Sequence, residues 1–144
     1  MHHIGKLVAR IHEAQQKWLT DELASAGLKG LAPSHGDVLA YLFSHGNATM
    51  AELADFAHRT RPTMTVLVDK MESLGFVRRR KSKDDTRRQI VSLTKRGESL
   101  RTVFEDISTR FISRLYDGVS DSDAAEVERI LTKILSNTEK GKTP

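Results

Sequence analysis

The sequence predicts a mainly α fold, of the α+β class, in which two short helices are followed by a two-stranded β-hairpin. Three observations predict it. Apolar residues recur at three- and four-residue steps over most of the 144 positions, the mark of helices that bury one face. Between them, Gln89-Ile90-Val91-Ser92-Leu93-Thr94 alternates with the period of a strand, and Phe76-Val77-Arg78-Arg79 begins a partner for it. Finally, positive charge is concentrated on that hairpin. Nine basic residues and two acids lie between Arg78 and Arg96, a local +7 in a chain whose formal net charge is +4.

Residues 4 to about 27 read as the first helix. Ile4, Leu7, Val8, Ile11, Ala14, Trp18, Leu19 and Leu23 form a continuous stripe, and Gly27 and Gly30 end it. One helix cannot bury so long a stripe alone, so it needs a partner element or a partner chain. Pro33-Ser34 opens a second helix with Val38, Leu39, Leu42 and Phe43 inside, stopped at Gly46-Asn47. Thr49 followed by Glu52 has capping-box spacing ahead of a short third helix over 51–57.

Thr60 caps a fourth helix with Pro62 in its first turn, where a missing N–H costs nothing. That helix runs from Thr63 to Leu74 and ends at Gly75. Met64, Leu67, Val68 and Met71 face inward, and Arg61, Thr63, Thr65, Val66, Asp69 and Lys70 face outward. Two short helices joined by a tight turn, the second displaying small polar residues at its start, make a helix-turn-helix.

The hairpin follows, its loop spanning Lys81 to Arg87. From Lys95 the period is helical again, with Leu100, Val103, Phe104, Ile107, Phe111, Ile112 and Leu115 on one stripe up to Asp117-Gly118. A last helix starts at Asp121 or Ser122 and turns Val127, Ile130, Leu131, Ile134 and Leu135 inward. The tail from Asn137 to Pro144 reads as frayed.

Bulk composition narrows the function. Apolar residues make up 38% and charged residues 29%, a globular balance. No apolar run approaches the roughly 18–20 residues of a membrane span. The first six residues lack the apolar core of a signal peptide, so a soluble, cytoplasmic protein is expected. Cysteine is absent, which excludes disulfides, thiolate metal sites and thiol redox sensing. A pI near 9.5 permits a polyanionic partner without demonstrating one.

Helix, turn, helix and a hairpin with a charged loop together compose a winged helix. The major groove of B-DNA accepts an α-helix, and a hairpin tip can reach the neighbouring minor groove. The charge then sits where phosphates would be. Asp85 pairs with Arg87 and braces a tip that like charges would otherwise splay.

At these residues the sequence resembles the MarR family of bacterial transcriptional regulators. "LAPSHGDVLAYL" (31–42) is similar to that family's second helix, and "MAELADFAHRTRPTMTVLVDKMESLGFVRRR" (50–80) to its helix-turn-helix and first wing strand. "DDTRRQIVSLTKRG" (84–97) resembles its wing signature: an Asp, one residue, an Arg, then a strand ending Leu-Thr before a Gly. The resemblance implies one MarR-type domain over 1–144, with the winged-helix lobe at 31–97 and dimerisation helices at 1–30 and 98–144. It also implies a homodimer on double-stranded DNA, with the fourth helix in the major groove and the wing Arg in the minor groove. The DNA-contacting residues carried over are Arg61, Thr63, Thr65, Lys70, Arg79, Lys81, Lys83, Arg87 and Arg88, with Asp85 as brace. Val66 departs from the family, where an exposed polar or basic residue is more usual; it either meets a thymine methyl or is buried.

The resemblance further implies a small-molecule pocket for an aromatic or phenolic effector, for which His12, Trp18, His35, Tyr41 and Arg110 are the candidates. Each has a plainer reading as core, interface or ion-pair residue. Six histidines, at 2, 3, 12, 35, 45 and 58, form no HxxxH or HxxE pair on a helix, so no metal site and no cofactor are expected. No Ser-His-Asp grouping, phosphate loop or paired-carboxylate signature points to an enzyme. The expected function is that of a homodimeric repressor, released from a palindromic operator by a ligand. The alternatives are an activator or anti-silencing factor, or a winged helix that binds an acidic protein.

Overall fold

The computed structural model describes residues 2–140. Its order is α1 (Ile4–Ser25), α2 (Pro33–His45), β1 (Ala48–Thr49), α3 (Met50–Phe56), α4 (Arg61–Ser73), β2 (Val77–Lys81), β3 (Gln89–Leu93), α5 (Lys95–Glu98), α6 (Arg101–Leu115) and α7 (Asp121–Glu139). The chain divides into two compact units at Ile107/Ser108, within α6. The sequence reading sets the winged-helix lobe at 31–97 and flanking helices at 1–30 and 98–144.

The first unit is built around one apolar core. Leu39 and Leu42 of α2, Leu53 of α3, Met64 and Met71 of α4 and Val91 of β3 are all buried. Each such side chain contributes about 1.5–3 kcal/mol of transfer free energy. The helix boundaries follow from local chemistry. Thr49 accepts a hydrogen bond from the Glu52 N–H at 3.1 Å, while the Glu52 carboxylate accepts from the Thr49 N–H at 3.0 Å. This is the reciprocal pair that the Thr-x-x-Glu spacing predicts. The Thr60 hydroxyl accepts from the Thr63 N–H at 3.3 Å and starts α4 two residues earlier than its apolar pattern alone predicts. Gly46 and Gly75, at φ 77° and 81°, turn the chain out of α2 and α4.

Three features differ from the sequence reading. First, the sheet has three strands in the order β1-β3-β2, all antiparallel. The two-residue β1 pairs Ala48 with Val91 and Thr49 with Ile90, too short a segment to carry a period of its own. Second, the helix expected from Lys95 is interrupted. Thr94 caps α5, which stops at Glu98, and α6 begins at Arg101. Third, α7 continues to Glu139, so 137–139, expected to fray, are helical; the rest of that tail beyond 140 lies outside the described residues. The start of α7 at Asp121 agrees with the sequence reading, and Ser120, whose hydroxyl accepts from the Asp123 N–H at 3.1 Å, caps it.

The Leu-Thr…Gly signature has a structural cause. The Thr94 hydroxyl donates to the Gly75 carbonyl and accepts from the Gly97 N–H at 3.1 Å. A Cβ on Gly97 would collide with the Phe76 carbonyl oxygen. These contacts fix the base of the hairpin against the end of α4.

α1 and α7 leave apolar surface open. Ile4, Leu7, Val8 and Ile11 of α1 are exposed, Leu7 to 52%. α7 has no buried residue, although Val127, Ile130, Leu131, Ile134 and Leu135 share one stripe. No helix among the described residues is long and apolar enough to cross a membrane.

Candidate nucleic-acid interface

α4 presents one side to the core and the other to solvent. Met64, Val68 and Met71 are completely buried, whereas Arg61, Pro62, Thr63, Thr65, Val66, Asp69 and Lys70 are exposed. Val66, left open between contact and burial by the sequence, is 66% exposed.

The wing tip is held by its own side chains. The Asp85 carboxylate accepts from the Arg87 N–H at 3.0 Å, from its Nε at 3.1 Å and from a terminal guanidinium nitrogen at 3.3 Å. Arg88 Nε stands 3.9 Å from the other Asp85 oxygen. Backbone bonds from Ser82 N–H to the Arg88 carbonyl and from Arg88 N–H to the Asp85 carbonyl, both 2.9 Å, close the loop. The Arg87 side chain and backbone hydrogen bonds hold the Asp85 carboxyl below the usual carboxylate range, so it stays ionised as a brace. Arg87 itself remains 89% exposed. Its charge is oriented by Asp85 and still accessible to a polyanion.

Arg79 is placed differently from the other wing cations. One of its terminal nitrogens lies 2.6 Å from Asp69 and 3.0 Å from Glu72, and its backbone N–H donates to Glu72 at 2.9 Å. Its side chain is only 22% exposed. The guanidinium of Arg79, then its backbone N–H, hold the Glu72 carboxyl below its ordinary value, and Glu72 in turn raises Arg79. Arg79 thus ties β2 to α4 and neutralises two acids that α4 would otherwise show beside its outer face. Arg96, also counted in the +7, lies 5.0 Å over the Phe76 ring. What reaches the tip is the set Lys81, Lys83, Arg87 and Arg88, all exposed.

The pairing of β1 with β3 carries the start of α3 to the wing. Between them lies a cleft of about 540 Å³ lined by Arg61, Arg87, Arg88, Asp85, Glu52 and Gln89, among others. Three of the predicted cations and their brace therefore share one concave surface. Gln89 and the first residues of α3 join it without any signal in the sequence, because only the long-range β1–β3 register brings them there.

The five effector candidates have different surroundings. His35 Nδ1 accepts from the Ala32 N–H at 2.9 Å and closes the start of α2. Burial, and then the Lys70 charge, hold its pKa below the ordinary histidine value. Tyr41 stacks on His45 with centroids 4.1 Å apart and tilts against Phe56 at 5.0 Å. Trp18 packs against the core, while His12 on α1 and Arg110 on α6 are exposed. None of the five lines the wing cleft or the groove of about 610 Å³ between α6 and α7 in the second unit. Among the described residues no three His, Asp or Glu side chains gather into a metal-holding set.

The sequence profile of the MarR family matches residues 31–89, from the start of α2 to β3. Over that stretch, the winged-helix lobe up to the first residue of β3, the chain matches the MarR family. The regulator FarR of Neisseria gonorrhoeae is 29% identical over 103 residues, covering 72% of this chain and 68% of FarR. Among solved structures, MepR of S. aureus, in complex with DNA, superposes with a TM-score of 0.86 at 24% identity, covering 95% of this chain and 99% of MepR. A mutant MarR from E. coli, in complex with operator DNA, gives 0.82 at 20% identity, covering 92% and 93%. The fold of these two solved structures is thus shared over nearly the whole chain. The profile ends at Gln89, so the Leu93-Thr94…Gly97 junction lies beyond it and is explained here by its own contacts.

Proposed function

We propose that this MarR-family protein is a DNA-binding transcriptional regulator that works as a homodimeric repressor on a palindromic operator. One observation carries the reading. An exposed α4 and a cationic tip, braced by Asp85, are fixed to each other through Arg79, Asp69 and Glu72. Thr63, Thr65 and Arg61 of α4 enter the major groove, with Lys70 at its far end. Arg87 enters the minor groove, and Lys81, Lys83 and Arg88 meet phosphates. Arg79 acts on this surface by positioning rather than contact.

The dimer follows from the open stripes on α1 and α7, whose apolar side chains are left exposed by the described residues. A two-fold pair sets half-sites about 34–36 Å apart, one turn of the duplex. Occupancy of one turn of promoter DNA excludes other proteins from it, and repression is the direct consequence. Release by a small aromatic or phenolic ligand completes the reading. BpsR of Bordetella bronchiseptica, a solved relative of the same fold, is regulated in its DNA binding by 6-hydroxynicotinic acid.

Selection of bound sequences from random duplexes tests this. The expected product is an inverted repeat bound by two chains. Arg87→Ala should lose at least about tenfold in affinity for it while staying folded and dimeric. Hydroxybenzoates added to the formed complex should release DNA. Recovery of no enriched sequence would refute the reading, and unchanged affinity of Arg87→Ala would remove the wing from it.

A further inference from the structure

The exposed face of α4 is unusual in what it lacks. Each residue of an α-helix turns by about 100°. On that wheel Val66 stands nearly opposite the buried Met64, Val68 and Met71 stripe, at the centre of the outward face, and it is 66% exposed. Around it, Pro62 has no N–H to offer. The Thr65 hydroxyl is donated to the Arg61 carbonyl at 2.9 Å. Thr63 accepts from the Thr60 hydroxyl at 3.0 Å, which leaves its own proton as the hydroxyl donor near the centre. Asp69 is paired with Arg79. The face holds no Asn, Gln or Glu to address adenine or cytosine, and its cations, Arg61 and Lys70, stand at its two ends.

A major-groove surface of this kind cannot read its central base pairs by bidentate hydrogen bonds. It can read the one apolar group the groove displays, the C5-methyl of thymine. Flanking charge selects the occupant, since Arg61 and Lys70 stand on either side of Val66 along α4 and Arg61 shares its cleft with Arg87 and Arg88, positive charge that fits a duplex polyanion. An apolar protein surface would gain nothing from that ring.

We propose that Val66 is a specificity-determining residue that packs on a thymine methyl at the centre of each operator half-site. The inference rests on the DNA-binding reading above. Val66 is then the reason an exposed valine is kept at the middle of a helix that otherwise shows hydroxyls and charges. Exposure of a large apolar side chain in the free protein is relieved when the methyl group covers it.

Replacing thymine by deoxyuridine removes the methyl and nothing else. The duplex recovered by selection with the wild-type protein should be substituted one thymine at a time in each half-site. One thymine per half-site should weaken binding about fourfold when changed, and about fifteenfold when both copies are changed, as expected for one methyl group withdrawn from apolar contact. Val66→Ala, which alters both chains of the dimer, should bind the thymine duplex about fifteenfold more weakly and be indifferent to deoxyuridine at that position. Val66→Thr, which keeps one methyl, should fall between them. Both variants alter an exposed site and should retain the wild-type circular dichroism and melting. Equal binding of thymine and deoxyuridine duplexes at every position would overturn the inference while leaving the DNA-binding reading intact. So would a deoxyuridine effect of the same size in Val66→Ala. Failure to bind any duplex would instead remove the reading on which it rests.

Discussion

Arg79→Ala separates positioning from contact. The substitution removes two charge-assisted contacts, to Asp69 at 2.6 Å and Glu72 at 3.0 Å, and leaves the backbone bond to Glu72 in place. Both carboxylates are partly exposed, so each contact is worth about 0.5–1 kcal/mol rather than its buried value. The chain should lose about 1–2 kcal/mol and melt about 3–8 °C lower. The second effect is electrostatic. Two acids on α4 become unpaired, and each carboxylate some 8–10 Å from a phosphate costs roughly 0.2–0.5 kcal/mol after screening. Over two chains that is about 1–2 kcal/mol, a loss of roughly five- to thirtyfold in affinity. Thermal melting followed by circular dichroism reads the first effect, and fluorescence anisotropy with the selected duplex reads the second. Adding Asp69→Asn and Glu72→Gln to Arg79→Ala should restore most of the affinity but not the melting temperature. If affinity stays low in that triple variant, the loss comes from the missing tie between α4 and β2 or from a lost contact, and the electrostatic account of it fails.

Three further perturbations follow from the same geometry. Ile130→Asp on the open stripe of α7 should convert a dimer to a monomer in sedimentation and lose operator affinity with it; dimeric protein at micromolar concentration would contradict the interface. His35→Gln keeps an acceptor for the Ala32 N–H but removes a titrating ring whose folded pKa is lowered by burial and by Lys70. A lowered folded pKa means that the unfolded chain binds the proton more readily, so wild-type stability falls as pH drops below about 6.5 towards the folded value. Denaturant titrations at pH 7.5 and 5.5 should show a smaller loss in the variant, and equal losses would refute the role. Gly97→Ala forces a methyl group into the Phe76 carbonyl and should cost at least about 2 kcal/mol by chemical denaturation; a neutral result would show that the junction relaxes freely.

Much of this was legible because it is local. The Thr49–Glu52 capping pair, the Thr60 cap, the inward Met64, Val68 and Met71 and the Asp85–Arg87 brace each span a few residues, and spacing alone exposes them. What the sequence hid is long-range. β1 is two residues long and owes its existence to Val91 and Ile90, forty residues away in the chain. Without it, nothing reveals that Gln89 and the start of α3 share a cleft with Arg61. Arg79 was indistinguishable from its neighbours in a run of arginines, because its fate depends on strand alternation meeting Asp69 and Glu72 on another element. For His35 and Tyr41 the sequence left an effector contact and a plainer structural role both open; the hydrogen bond that closes the start of α2 and the stack on His45 come into view only in the fold. The break between α5 and α6 carried no signal, because α5 has no apolar side chain to set a period of its own and the stripe begins only at Leu100.

The central claim is that two copies of the chain neutralise the phosphates of one duplex with a fixed set of side chains. Its most direct measurement is anisotropy of the selected operator against protein concentration, repeated from low to high salt. Six phosphates neutralised by the pair predict a slope of about −5 in log K against log salt, and more contacts a steeper one, at two chains per duplex. A flat salt dependence, or saturation at one chain per duplex, would contradict it.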